Sequence, residues 1–216
     1  MPDDSAIPTK IAALFSSRWH QGYTKSKLRT DPLYNGVYEA FADSDLPLLD
    51  LGCGLGIAAF YLRERELAFP ILGVDYDAKK IDAAKTAATS YTDLEFRHGD
   101  AREGIPEFSG NVSILDILQF FTADQQSKLL QNAASSVADA GKLVIRTGLK
   151  DRSWRFKVTV LGDLLAKATF WMKAAPTHYP TEASLRETLE PLGLRVSITP
   201  LWGRTPFNNH LVVAGR

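Results

Sequence analysis

Three acids and three glycines are the residues of this chain whose types and spacing suggest chemistry. Asp50-Leu-Gly-Cys-Gly-Leu-Gly56 closes a short apolar run, and an amphipathic pattern follows it. Gly52, Gly54 and Gly56 leave no side chains over the turn, so a ligand can lie against the main chain. A helix starting near Gly56 turns its free N–H groups toward the same place, favouring a negatively charged or carboxylate-bearing part of that ligand. A dinucleotide turn needs G-x-G-x-x-G, whereas the spacing here is G-x-G-x-G. A phosphate loop would end in Gly-Lys-Ser/Thr, and Ile57-Ala58 stands there instead. Asp50, before the first glycine, would repel a phosphate and suits an ammonium group. Asp75 closes a second apolar run where a carboxylate can accept both ribose hydroxyls. Tyr76 can pack on an adenine face, and Asp100 can accept from the adenine amino group. The set describes a nucleoside without phosphates that carries an amino acid.

Such a set needs strands that end side by side, and the chain supplies them. Strand patterns fall at Leu48–Leu51, 69–74, 94–97, 112–118 and 143–147, with helical patterns between them. Asp77 is a good N-cap for the helix after the second strand, and Thr122-Ala-Asp-Gln125 makes a capping box after the fourth. Gly141 is expected to stop that helix. Repeated strand–helix units imply a parallel sheet with helices on both faces, an α/β Rossmann-like fold. Thr181–Leu192 predicts a further helix, and 195–200 with 210–214 a terminal hairpin.

The N-terminal part is helical with a break. Ile11, Leu14, Phe15 and Trp19 recur at helical spacing, and Asp31-Pro32 interrupts the pattern before Leu33, Val37 and Phe41 resume it. Residues 21–30 are polar and basic. They are either a solvated connector or a lid whose Tyr23, Lys27 or Arg29 reaches the ligand. The expected organisation is one domain: a helical lid over 1–46, a cofactor-binding core over 47–147, a helical cap over 148–180, and the last helix and hairpin over 181–216.

Composition narrows the class. The chain has 216 residues, 45% apolar and 23% charged, which suits a globular domain with a full core. Twenty-five basic residues balance 25 acidic ones, so no overall field selects nucleic acid or a membrane. Cys53 is the single cysteine, which excludes an internal disulfide and a multi-cysteine zinc site; it is a small residue that fits the glycine turn. The start Met-Pro-Asp-Asp-Ser lacks a signal-peptide pattern, and no apolar run approaches the roughly 20 residues of a membrane span, so a cytoplasmic protein is expected.

At these residues the chain resembles the class I S-adenosylmethionine-dependent methyltransferases. The resemblance rests on Asp50-Leu-Gly-Cys-Gly-Leu-Gly56, Gly73-Val-Asp-Tyr-Asp77, Gly99-Asp100-Ala101, Asp116-Ile-Leu-Gln-Phe120 and Gly141-Lys-Leu-Val-Ile145, in that order. It implies a seven-stranded sheet of order 3-2-1-4-5-7-6 with strand 7 antiparallel. It also implies S-adenosylmethionine as cofactor, S-adenosylhomocysteine as product, and no metal. By the same likeness Gly52, Cys53, Gly54 and Gly56 meet the methionine moiety, with Asp50 near its ammonium group. Asp75 takes the ribose, and Tyr76, Asp100 and Ala101 surround the adenine. Asp116, Ile117 and Gln119 line the mouth where the methyl group moves, with Lys27 and Arg29 reaching in from the lid. Many small-molecule members carry histidine where Gln119 stands, so a base is absent there.

Methyl transfer needs the acceptor held in line, and a base only where the acceptor must lose a proton. The candidates are His20 and Tyr23 in the lid, Gln119, and His178 in the cap; His98 and His210 are structural candidates. Residues 142–173 carry Lys142, Arg146, Lys150, Arg152, Arg155, Lys157, Lys167 and Lys173 against Asp151 and Asp163, interleaved with large apolar residues such as Trp154, Phe170, Trp171 and Met172. That segment is either a helix with solvated cations, a cap over an apolar acceptor with an acidic handle, or a surface for membrane or nucleic acid. The expected acceptor is a small organic molecule methylated at oxygen, nitrogen or carbon, including acyl or carrier-protein-linked intermediates. The absence of an Asn/Asp-Pro-Pro-Tyr/Phe motif argues against nucleic acid. The alternatives are an RNA or protein methyltransferase docking through 142–173, and a non-catalytic S-adenosylmethionine-binding subunit.

Overall fold

A computed structural model describes residues 5–168 and 176–216. Seven strands form one sheet: β1 (Leu48–Leu51), β2 (Ile71–Asp75), β3 (Leu94–His98), β4 (Asn111–Leu115), β5 (Lys142–Gly148), β6 (Arg195–Pro200) and β7 (Asn209–Gly215). Their order is β3-β2-β1-β4-β5-β7-β6. The first five are parallel, and β7 runs antiparallel to both β5 and β6. The order expected from the resemblance is the one observed.

Eight helices surround the sheet among the described residues. They are α1 (Ile7–Ala13), α2 (Arg18–Thr30), α3 (Leu33–Phe41), α4 (Ile57–Glu64), α5 (Ala78–Ala87), α6 (Ala123–Ser135), α7 (Trp154–Ala168) and α8 (Glu182–Leu189). The pleat sends successive residues of β1 to opposite faces. Leu48 joins the core beneath α1, α3, α4 and α5, with Phe41, Phe60, Leu62 and Ile81. Leu49 and Leu51 join the other core, with Leu129, Leu130 and Ala133 of α6 and Leu185 and Leu189 of α8. Asp50 alternates with them on the α4 side.

Local signals set several boundaries as expected. Asp77 caps α5 by accepting from the Lys79 N–H, and Thr122 with Gln125 forms the capping box of α6. Three expectations are corrected. Residues 21–30 are not a connector: they belong to α2, capped by Ser17, with Thr24 buried beneath it. Gly141 does not stop α6, which ends at Ser135; the glycine lies six residues on and carries the turn into β5. The fourth strand ends at Leu115 rather than 118, because Asp116 takes a left-handed φ of 62° and turns the chain out of the sheet. Phe170, Trp171, Met172 and Lys173 of the basic, apolar segment lie outside the described residues.

Candidate functional site

The three glycines do different work. All have left-handed φ values, 77° at Gly52, 56° at Gly54 and 72° at Gly56. A Cβ on Gly52 would lie 2.5 Å from Cγ2 of Ile117, and one on Gly56 the same distance from the Phe96 ring. Those two positions are glycine because protein packs on them. At Gly54 a Cβ would meet nothing nearer than Cδ of Lys80 at 4.0 Å. The open side of the loop is therefore over Gly54 alone, and there a ligand can approach the backbone. The Cys53 sulfur sits against Gly73 of β2, and burial pushes its thiol well above the usual range, which suits an inert space-filling residue.

Asp75 ties this loop to the end of β2. Its Oδ2 accepts from the Gly54 N–H at 2.8 Å, and its Oδ1 accepts from the Asp77 N–H at 2.8 Å. The carboxylate thus stands beside the open glycine position. Asp50 lies deeper, only 2% exposed, and Ser113 Oγ donates to it at 2.7 Å. The two residues are register partners on β1 and β4. Burial, aided by the charge of Asp75 and opposed by the Ser113 hydrogen bond, raises the Asp50 carboxyl from 3.8 to about 6.

At the ends of β2 and β3, Tyr76 is exposed and Asp100 and Ala101 are half-buried. Arg102, unremarked in the sequence, completes this group. Its Nε lies 2.9 Å from both Asp100 oxygens, Nη2 lies 2.6 Å from Oδ2, and its guanidinium stands 5.6 Å from the Tyr76 ring centre. The Asp100-Ala-Arg102 spacing was the available signal. The Arg102 hydrogen bonds outweigh burial and hold Asp100 below the usual carboxylate range. His98 Nε2 donates to the Tyr76 carbonyl at 3.0 Å, and His210 Nδ1 donates to the Asn208 carbonyl at 3.1 Å, both as structural contacts.

Beyond β4 the lid and the sheet meet in a network of charges. Arg146 on β5 donates through Nη1 to Asp116 and places Nη2 3.3 Å from Oδ2 of Asp31, the C-cap of α2. Lys27 Nζ lies 2.7 Å from Asp31 and 4.0 Å from Asp116. Burial lowers the Arg146 guanidinium, but the charges of Asp116 and Asp31 outweigh it and the net shift is upward. Arg146 and Lys142 therefore do not belong to a solvated basic face: Lys142 Nζ donates to the Ala40 carbonyl at 2.7 Å. Lys27 faces this network, whereas Arg29, two residues on, is exposed on another side of α2.

The candidate catalytic residues separate into two groups. Tyr23 is stacked on Trp19 at 5.4 Å, and its hydroxyl is raised chiefly by burial, with Lys27 opposing and Asp116 adding. Gln119 Nε2 donates to the Asp116 carbonyl at 3.0 Å, while its Oε1 is buried with no hydrogen-bond partner. The N–H groups of Thr177 and His178 both donate to the Gln119 carbonyl, which brings His178 alongside. Asp163 of α7 accepts from the Tyr179 hydroxyl at 2.7 Å; burial raises its carboxyl, and the charge of Asp116 adds to that. His20 instead packs edge-on against Phe15 at 5.9 Å and Trp19 at 5.3 Å. Among the described residues no cluster of His, Cys, Asp and Glu could hold a metal ion.

Residues 48–141 match a family model described as a methyltransferase domain. Magnesium protoporphyrin IX methyltransferase from Synechocystis PCC 6803, solved with bound S-adenosylhomocysteine, superposes with a TM-score of 0.66 at 18% identity, over 96% of this chain and 91% of that one. The mitomycin 7-O-methyltransferase MmcR gives 0.69 at 18% identity, over 91% of this chain and 56% of that one. The PH0226 protein of Pyrococcus horikoshii OT3 gives 0.63 at 20% identity, over 97% and 95%. Among curated proteins, none matches the chain in sequence. The strand order and the matched domain lead to one conclusion: residues 48–141 are similar to a methyltransferase domain, and the chain as a whole has the Rossmann-like methyltransferase fold.

Proposed function

We propose that the protein moves a methyl group from S-adenosylmethionine to a small organic acceptor at oxygen, nitrogen or carbon. The observation that carries this reading is the convergence on Asp116. Arg146 of β5 donates to its carboxylate, Lys27 of α2 brings its Nζ to 4.0 Å, and the Gln119 amide donates to its carbonyl. Polar groups from α2, β5 and the segment after β4, with the His178 N–H donating to the Gln119 carbonyl, support a small-molecule acceptor here.

The residues present fit the cofactor. The open backbone at Gly54, next to the Asp75 carboxylate, is a cradle that any side chain would fill. In this reading Asp75 takes the ribose hydroxyls, and Asp50 adds negative potential below the ammonium group. Tyr76, Asp100 and Ala101 border the adenine, with Arg102 leaving Asp100 as the amino group arrives. When bound, the cofactor supplies a methyl group on a sulfonium, already activated for in-line displacement. The chain's own task is to hold the acceptor in line and keep water away. Gln119 Oε1, buried and unpartnered, can accept a hydrogen bond from an acceptor O–H or N–H. In this reading His178 is the candidate to receive a proton, while Tyr23, whose hydroxyl burial keeps protonated, can donate a hydrogen bond to the acceptor.

Incubating the purified protein with methyl-labelled S-adenosylmethionine and cell extract tests the reading. Label in small molecules supports it. Label only in RNA or protein would turn the assignment to a macromolecular acceptor, and failure to bind the cofactor would leave a fold without this chemistry.

A further inference from the structure

An amphipathic surface helix ordinarily turns its apolar stripe inward. In α7 large apolar side chains also face out. Trp154 is 60% exposed, Leu161 56% and Leu164 53%. At about 100° per residue, these three and Lys157 fall within a sector of roughly 80°. The opposite side of the helix is the packed one. Thr159 is buried and accepts from the Asn208 N–H at 2.7 Å, Asp163 accepts from Tyr179, and Gly162 lies under the Phe207 ring. Phe207, 36% exposed, extends the apolar surface along one flank.

Cations border this strip. Lys150 and Arg152 are exposed just before α7, Lys157 lies within the strip, and Arg204 is exposed in the loop that carries Phe207. Arg155 stands 4.9 Å from the Trp154 ring centre and 4.4 Å from that of Trp202. The two acids nearby are engaged elsewhere: Asp151 accepts from Ser153 and Asn208, and Asp163 points inward to Tyr179. The strip is apolar, convex and positively rimmed.

We infer that the outer face of α7 seats the protein on an anionic lipid surface, with the helix lying in the plane of the headgroups. Charge complementarity selects the sign of the partner. Size selects its kind. From Trp154 to Leu164 the strip is about 15 Å long and about 10 Å wide, so it offers about 150 Å², well under the roughly 800 Å² per partner of a stable protein interface. A fluid bilayer needs no matching shape and takes a convex row of Trp and Leu with flanking Lys and Arg. A second copy packed symmetrically would set these cations against themselves. None of the described helices is long and apolar enough to cross the membrane, so the contact is with its surface.

The test is co-sedimentation of the full chain, without cofactor or acceptor, with vesicles of phosphatidylcholine alone or mixed with phosphatidylglycerol. Binding to the anionic vesicles is expected, weakening as salt rises. Lys157→Ala should weaken it about fivefold. The double variant Leu161→Glu/Leu164→Glu should weaken it at least about tenfold, with melting temperature unchanged. Trp154→Phe should abolish the blue shift of tryptophan emission that vesicles induce. No binding, equal binding to both vesicle types, or binding that survives the double variant would overturn the inference. So would a dimer dissolved by the double variant in the absence of vesicle binding. Since neither cofactor nor acceptor is present, these outcomes are independent of the methyl-transfer reading.

Discussion

Arg146 on β5 donates to the carboxylate of Asp116, the first residue past β4, and the same guanidinium reaches Asp31 at the end of α2. α2 is thereby fastened to the sheet beside the candidate site. Removing one member of a buried charged group leaves its partners desolvated and unpaired. Arg146→Met should cost about 3 kcal/mol of unfolding free energy in urea titrations. Asp31→Asn keeps the Asp116 pair and should cost about 1 kcal/mol while speeding amide exchange in α2. If Arg146→Met unfolds at the same urea concentration as the unaltered protein, the network is not structural.

Asp50 makes stability depend on pH in a defined direction. Its folded value, about 6, lies above the ordinary 3.8, so folding favours the protonated carboxyl. That contribution is complete below pH about 4 and is lost as pH rises through about 6, amounting to up to about 3 kcal/mol. Asp50→Asn should remove this slope, seen as a flatter unfolding free energy between pH 4 and about 6.5. If Asp50 also faces the ammonium group, cofactor affinity should rise with pH over the same window in the unaltered protein and stay level in the variant.

The contrast between β1 and α2 shows what the sequence could convey. Leu48–Leu51 is legible because an apolar run meets glycines that only a turn explains. α2 is not, since its polar, basic residues carry no apolar stripe and its place depends on burial of Thr24 and on the Ser17 cap. Ile117 and Leu118 continue the apolar run of β4, yet the backbone turns away at Asp116, which a period-two pattern cannot reveal. Arg146 looked like one more surface cation because its partners are 30 and 115 residues distant in sequence. The proposed cofactor side rests on residues that cluster in short motifs, which a sequence displays directly. The proposed acceptor side draws on Tyr23, Gln119, Asp163 and His178, which are far apart in sequence and belong to no one short motif.

Asp75 holds two backbone N–H groups before any ligand arrives, so its removal acts on the loop as well as on the ribose. Asp75→Ala should weaken S-adenosylmethionine binding at least about tenfold, the value of one charge-assisted hydrogen bond. It should also lower stability by about 1–3 kcal/mol by orphaning the Gly54 and Asp77 amides. Asp75→Asn can still accept one of these bonds, and should recover more of the stability than of the affinity. Calorimetry and urea unfolding on the two variants separate the effects. Unchanged affinity in Asp75→Ala would end the ribose assignment.

The strongest discrimination comes from comparing Gly52 with Gly54. Both have left-handed backbones, so any side chain carries a strain of about 1–2 kcal/mol at either position. The surroundings differ. A methyl group at Gly52 collides with Ile117 at 2.5 Å and must push that side chain away, whereas at Gly54 the space is open to 4.0 Å. Gly52→Ala should therefore lose more stability than Gly54→Ala, by about 1–3 kcal/mol of overpacking. Gly54→Val should remain folded and yet fail to bind S-adenosylmethionine, because its side chain fills the open space over this backbone. A Gly54→Val protein that keeps full affinity would show that the cofactor does not lie against this backbone.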